Sequence, residues 1–289
     1  MTELLESAVN VSQESSAAQN QASASLRFSD ETGFNGPVTS LYGTVCRAQP
    51  KDGELPVLKS GVVSMGCDYQ AASPETSKFY DSARDEVAQF FMRPGEWLSR
   101  YPIGSGVIVG PKDDANCLVL TDNHVSTETE DDLQVRLADG IYHDGTVVAT
   151  DPTHDLALVS LFTGDNTAKV CRAAKFDESS NGVDRAVGFP AHTTTPYLSE
   201  GKDLGTIKRS DYRDGDGDVL NPLYGEDTNR PVILMDMHVE GANSGSPVYG
   251  PNGVRGLVDA GDNSKLNSSF ATPVSPEMVD ALKRSAGAK

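Results

Sequence analysis

Residues 241–248 read Gly-Ala-Asn-Ser-Gly-Ser-Pro-Val and come just after the apolar run 231–239, which sets one serine, Ser244, among glycines in a turn. A serine hydroxyl is a weak nucleophile until a neighbouring base takes its proton, so Ser244 carries meaning only if a histidine and a carboxylate stand in fitting contexts elsewhere. Two do. His124 lies in CLVLTDNHV, where an apolar strand ends at Thr121-Asp122 and delivers the histidine to its exit. Asp155 lies in DPTHDLALVSL, just ahead of a strand whose alternating residues anchor it, so its carboxylate is placed to orient an imidazole. The order His124, Asp155, Ser244, each at a strand edge or turn, is that of a general base, its orienting acid and a nucleophile.

Outward from that turn the chain is β-rich. From residue 101 onward the runs GSGVIVG, NCLVLTD, LQVRLAD, GTVVATD, LALVSLF, DRAVGFP, PVILMDMHV, GVRGLVDA and SSFATPV are punctuated by Gly, Asp, Asn and Pro. That pattern predicts a barrel or sandwich rather than a parallel α/β sheet. The closing SPEMVDALKRS offers a serine cap, proline in the first turn, and Met278, Val279 and Leu282 on one face, which predicts a C-terminal helix over about 275–285. Upstream, residues 1–26 hold too few apolar side chains for a packed core and read as a disordered or weakly helical tail. An extension over 27–100 follows. It contains two β-like runs, VTSLYGTVCRA and PVLKSGVVSMG, which suit a hairpin, a propeptide or an accessory element. Within 77–92, Phe79, Ala83, Val87, Phe90 and Phe91 recur at helical spacing before Pro94-Gly95, predicting one amphipathic helix.

Composition narrows the partners. Forty-two acidic against 24 basic residues give the 289-residue chain a formal charge of -18, which repels nucleic acid and anionic membranes. No apolar run approaches the roughly 20 residues of a membrane span. The polar start MTELLESAVN lacks the basic and apolar segments of a secretory leader, so a cytoplasmic protein is the first expectation, and a periplasmic or secreted one the alternative if a leader has been removed. Cys46, Cys67, Cys117 and Cys171 match no zinc motif and read as free buried thiols, or as a Cys46–Cys67 disulfide in an oxidising compartment. His143 and His192 read as surface residues, His154 as pointing away from its neighbour Asp155, and Trp97 as an anchor for the N-terminal helix. YRDGDGDVLN at 212–221 spaces carboxylates like a calcium loop, but Val219 stands where glycine is needed and no glutamate is in register, so a solvated loop is expected. Neither a metal nor a cofactor is implied.

Taken together, GSGVIVG, VLTDNHV, VVATDPTHDLALV, RAVGFP, GANSGSPVYGPNGVRGLV and SSFATPV resemble the chymotrypsin-fold serine endopeptidases, in their HtrA/Deg-like and glutamyl-endopeptidase-like bacterial branches. The resemblance covers about residues 101–275. It implies an all-β fold of two six-stranded barrels, the first over about 101–175 and the second over about 176–275, within a protease domain at 101–289. His124 and Asp155 would come from the first barrel and Ser244 from the second, meeting in the cleft. The N–H groups of Ala242 and Ser244 would form the oxyanion hole, and His238, Val258, Asp259 and Gly261 would line the specificity pocket, with Asp259 and His238 either facing that pocket or pointing into solvent. The implied partner is a protein or peptide substrate.

Three positions depart from the family's pattern. Ala242 replaces a glycine, and a β-carbon disfavours positive φ, so the hole is expected to be malformed at rest or to form only with substrate. Asn243 cannot make the ion pair by which a new amino terminus activates the pancreatic branch, so activation of that kind is not expected. Ser246, in place of the commoner glycine, matches the glutamyl branch. The chain stops before a PDZ domain could form, which favours a stand-alone protease and leaves the oligomeric state open. Two other readings accompany the endopeptidase: a regulated processing protease, and a catalytically silent binding or scaffold protein on the same fold.

Overall fold

The computed structural model describes residues 73–92, 101–127, 133–190, 193, 196–213, 227–261 and 268–288, together with the backbone of four short strands upstream. Those strands are β1 (Val38–Ser40) and β2 (Gly43–Val45), which pair with each other, and β3 (Pro56–Lys59) and β4 (Tyr69–Ala71). The expectations for residues 1–26, Cys46, Cys67, Trp97, His192 and the 214–221 part of the acidic loop lie outside the described residues.

Helix α1 (Pro74–Ala83) starts at Ser73, whose side chain accepts the Thr76 N–H at 3.1 Å, and a 3₁₀ turn at Arg84–Glu86 ends it. The chain then enters β5 (Val87–Met92), so the single helix expected over 77–92 is corrected: its second half is a strand. The reason is burial on both faces. Val87 to Phe91 are all buried in β5, and a strand covered on both sides reads as a run of apolar residues without the alternation that marks a half-exposed strand.

Strand β5 opens a closed antiparallel barrel with β6 (Tyr101–Pro111), β7 (Asn116–Asp122), β8 (Leu133–Arg136), β9 (Tyr142–Asp151) and β10 (Leu156–Phe162), in the order β10-β7-β6-β5-β8-β9 and back to β10. One helical turn, α2 (Asn123–Thr127), leaves β7, and α3 (Thr167–Val170) follows β10. The second barrel comprises β11 (Val183–Gly188), β12 (Tyr197–Lys208), β13 (Pro231–Asp236), β14 (Pro247–Tyr249), β15 (Val254–Gly261) and β16 (Ser268–Pro273), in the order β11-β14-β15-β16-β13-β12, closed by pairing of β12 with β11. Two six-stranded barrels are therefore present, as expected, but the first starts at β5 (Val87–Met92) rather than at about residue 101, so the end of the expected extension belongs to it. Upstream β3 lies parallel to β12 and carries β4 as a further strand, so the N-terminal segment extends the second barrel's sheet.

Each barrel has its own core, with Phe90, Val119 and Val159 in the first and Ile233, Met235 and Val248 in the second. A third cluster, including Leu120, Leu156, Val187 and Leu257, fills the space between them. Helix α4 (Pro276–Ser285) forms where expected. Ser275 caps it by accepting the Met278 N–H at 3.3 Å, and Val279 and Leu282 are buried with the inter-barrel cluster.

Two further expectations are corrected in the first barrel. Cys117 and Cys171 are not free thiols: they form a disulfide with Cα atoms 5.5 Å apart, joining β7 to the end of α3. His143 is not on the surface. It is buried on β9, with Nδ1 2.9 Å from the Phe162 carbonyl oxygen.

Candidate active site

The apolar run of β7 stops at Asp122, and the single turn of α2 brings His124 to the end of the barrel facing the second one. The turn between β9 and β10 brings Asp155 alongside. Asp155 takes a left-handed backbone, φ 57°, which an aspartate tolerates better than most residues and which its own hydrogen bonds hold in place. Its carbonyl accepts the Asn123 N–H at 2.9 Å, one carboxylate oxygen accepts the His124 N–H at 2.9 Å, and the other lies 2.7 Å from His124 Nδ1. An ionised carboxylate only accepts, so this contact fixes the imidazole proton on Nδ1 and leaves Nε2 as the basic nitrogen. Asp155 is 1% exposed and His124 9%, so their attraction is poorly screened by solvent. His154, the neighbour of Asp155, turns away as expected and pairs with Asp151 at 2.7 Å.

Burial by itself would lower the basicity of His124. With its acidic neighbours ionised, the Asp155 hydrogen bond and the charges of Asp122, Asp155 and Asp259 outweigh it and push the imidazole up to about 9. Asp122 itself is fully buried, and burial together with the charge of Asp155 holds its carboxyl well above the usual carboxylate range. Asp122, His124 and Asp155 each present one ligand atom within 4.8 Å of the others, close enough to hold a metal ion. A metal there would displace the His124–Asp155 hydrogen bonds, so the arrangement fits an acid–base pair better than a metal centre.

From the second barrel, Ser244 sits in the turn that leads into β14. Its Oγ donates to the Asp259 carbonyl oxygen at 3.3 Å. Ala242, two residues earlier, has φ 67°, so the left-handed conformation that its β-carbon disfavours is adopted already. The turn is held by Asn243 N–H to the Glu240 carbonyl at 3.1 Å, Ser246 N–H to the Asn243 carbonyl at 2.9 Å, and Gly245 N–H to the Val258 carbonyl at 2.8 Å. Among the described residues, neither the Ala242 nor the Ser244 N–H finds an acceptor. Gly245, at φ 82°, admits no side chain, because a β-carbon there would lie 2.1 Å from the Ser105 carbonyl oxygen.

Ser105, within the GSG motif of β6, is a residue that sequence reading passed over. Its hydroxyl donates to the Ala242 carbonyl at 3.0 Å and accepts the Phe189 N–H at 2.9 Å, while its own N–H donates to the Ser244 carbonyl at 2.8 Å. Thr121 holds the Ser105 carbonyl at 2.7 Å. The serine turn of one barrel is thus docked on a strand of the other. A small polar residue between two glycines was the available signal.

The four pocket residues fare differently. His238 lies beside the turn, Nε2 3.3 Å from Glu240 Oε1, and Gly261 packs near Val239. Val258 faces the core of the second barrel. Asp259 neither lines an open pocket nor points into solvent: it is 1% exposed, and one carboxylate oxygen accepts from the buried Arg209 and, at 2.8 Å, from the buried Arg230. Both arginines lie far from Asp259 in sequence, which is why no local pattern announced the cluster.

The profile of the trypsin-like peptidase domain matches residues 104–254. The chain is 30% identical over 176 residues to the serine protease Do-like HtrA of Lactobacillus helveticus, an alignment covering 60% of this chain and 38% of that protein. It is 25% identical over 228 residues to a probable periplasmic serine endoprotease DegP-like of Pseudomonas fulva (strain 12-X), covering 75% of this chain and 42% of that one. The chain therefore spans less than half the length of these relatives. In structure it resembles the active form of the Rv3671c protease of M. tuberculosis, with TM-score 0.55 at 17% identity over 85% of this chain and 95% of that one. It also resembles the HtrA-type protease AlgW with decapeptide, with TM-score 0.54 at 18% identity over 73% and 66%.

Proposed function

Since this chain belongs to the trypsin-like peptidase domain family, we propose that it is a serine endopeptidase acting through His124, Asp155 and Ser244. The observation that carries the reading is the buried His124–Asp155 pair, closed at 2.7 Å, on the barrel that docks the Ser244 turn through Ser105. In the reaction Ser244 Oγ turns from the Asp259 carbonyl and attacks the carbonyl carbon of the scissile bond as His124 Nε2 takes its proton. The oxyanion of the tetrahedral intermediate is received by the Ala242 and Ser244 N–H groups. His124 passes the proton to the leaving amine, and water, activated by the same imidazole, hydrolyses the acyl-enzyme. Asp155 holds the tautomer and stabilises the imidazolium throughout.

The substrate is a peptide or protein segment lying in the cleft, in keeping with the neighbour that carries a decapeptide. We place the protein outside the cytoplasm, in place of the cytoplasmic expectation. The Cys117–Cys171 disulfide suits an oxidising compartment, and the Pseudomonas relative is named periplasmic. Among the described residues no helix is long and apolar enough to cross a membrane.

A second reading, a catalytically silent binding protein, draws on the Ser244 hydroxyl being engaged by the Asp259 carbonyl. Mass-spectrometric profiling of a peptide library separates the two. The endopeptidase reading expects cleavage by the native chain that falls by at least about ten-thousandfold in Ser244→Ala. Equal product patterns from both proteins would favour the silent reading.

A further inference from the structure

Of Asp122, His124 and Asp155, which stand close together, Asp122 is the one that the proposed reaction does not use. It ends β7 opposite Leu156, the residue after Asp155, and stands two residues before His124. Its side chain is fully buried, and among the described residues neither carboxylate oxygen has a hydrogen-bond partner. One of those oxygens lies within 4.8 Å of a ring nitrogen of His124 and of a carboxylate oxygen of Asp155. A buried carboxylate is normally ionised only when hydrogen bonds or cations compensate its charge. The charged groups whose fields reach Asp122 are Asp155 from the turn before β10, His124 from α2, Asp259 from β15 and Arg230 ahead of β13. Arg230 is already bonded to Asp259 and Thr272, and Asp155 is a second negative charge at short range.

We propose that Asp122 is a carboxylic acid built into the active centre, a positioning residue that acts through His124: protonated at neutral pH, it withholds a second negative charge from the imidazole and supplies it once alkaline pH strips its proton. The proposal rests on the endopeptidase reading for its kinetic consequence but not for its protonation state. The acid proton is not consumed in turnover, because the proton that His124 takes from Ser244 is returned to the leaving amine. When Asp122 ionises, the imidazolium formed in the transition state gains a second counter-charge, and His124 becomes a stronger base. Two charge states of one buried side chain thus give two levels of activity.

The test has two arms. In the Ser244→Ala variant of the 289-residue chain with ¹³C-labelled aspartate, the Asp122 carboxyl carbon, assigned with Asp122→Asn, is followed from pH 5 to 10 by NMR together with the His124 ring. A neutral-acid signal persisting through pH 7, and moving with the His124 resonances only at alkaline pH, is expected. Ionisation of Asp122 at or below pH 7, or a His124 ring indifferent to it, overturns the proposal. In the active chain, kcat/KM is expected to rise about threefold or more in a second alkaline step, above the one in which His124 itself loses its proton, and Asp122→Asn abolishes that second step. A second rise, beyond that of His124, that survives in Asp122→Asn, including one superimposed on a uniform loss at every pH, overturns it as well. If the native chain cleaves nothing while the NMR step is present, the endopeptidase reading has failed and the acid has not.

Discussion

Asp155 and Ala242 are the two non-glycine residues with positive φ among the described residues, and both stand in the candidate active site. Backbone strain of this kind persists where surrounding contacts over-determine it. At Asp155 the contacts are three hydrogen bonds to residues 123 and 124. At Ala242 they are the Ser105 hydroxyl on its carbonyl and the closed turn that follows. An alanine in this conformation costs roughly 1–2 kcal/mol, and a glycine recovers most of that less its own entropy of ordering. Ala242→Gly is therefore expected to raise stability by up to about 1 kcal/mol in thermal or denaturant unfolding. Because the left-handed turn is adopted already, kcat/KM should stay within about threefold of the parent, under 1 kcal/mol of barrier. A gain of tenfold or more would mean that the hole has to be assembled by substrate, as sequence reading anticipated. Ser244, His124 and Asp155 were legible because each sits in a short motif at a strand end; Ser105 and the Asp259 cluster depend on contacts between distant segments that no local pattern displays.

Among elements, β7 does the most for the site: its outer end is tied by Cys117 to Cys171, and its inner end delivers Asp122 and His124. The disulfide closes a loop across a sequence separation of 54, within which lie β8, β9, β10 and the Asp155 turn. Removing it frees that loop in the unfolded chain, so Cys117→Ala/Cys171→Ala is expected to lose about 4 kcal/mol in denaturant unfolding. Reduction of the parent should approach the same loss, and equal stability of the two proteins would contradict the pairing. The strand pattern was readable wherever turn residues bracket an apolar run. It failed at β5, buried on both faces, and at β12, whose segment YLSEGKDLGTIK carries charges and two glycines yet pairs along nearly its whole length. In each case sheet pairing overrode what the local composition suggested.

At the scale of the molecule, the site exists only where two closed barrels meet, and the inter-barrel core and α4 hold them in register. The double barrel was legible from residue 101 onward through the resemblance of linked motifs, whereas the contribution of β3 and β4 to the second barrel was not, because parallel pairing with β12 leaves no mark in either segment. The central claim is that Ser244 is a nucleophile activated by the His124–Asp155 pair, and covalent labelling by a peptidyl phosphonate, followed against pH, tests it most directly. The active form has a neutral imidazole; neighbouring negative charge raises the imidazole above its ordinary 6.5, so activity is lost sooner as pH falls. The expected result is an adduct on Ser244 whose rate of formation rises with pH through a midpoint above 6.5 and no higher than about 9, and which is lost in His124→Ala. Absence of an adduct on Ser244 in the native protein, under conditions that label a control serine protease, would contradict it.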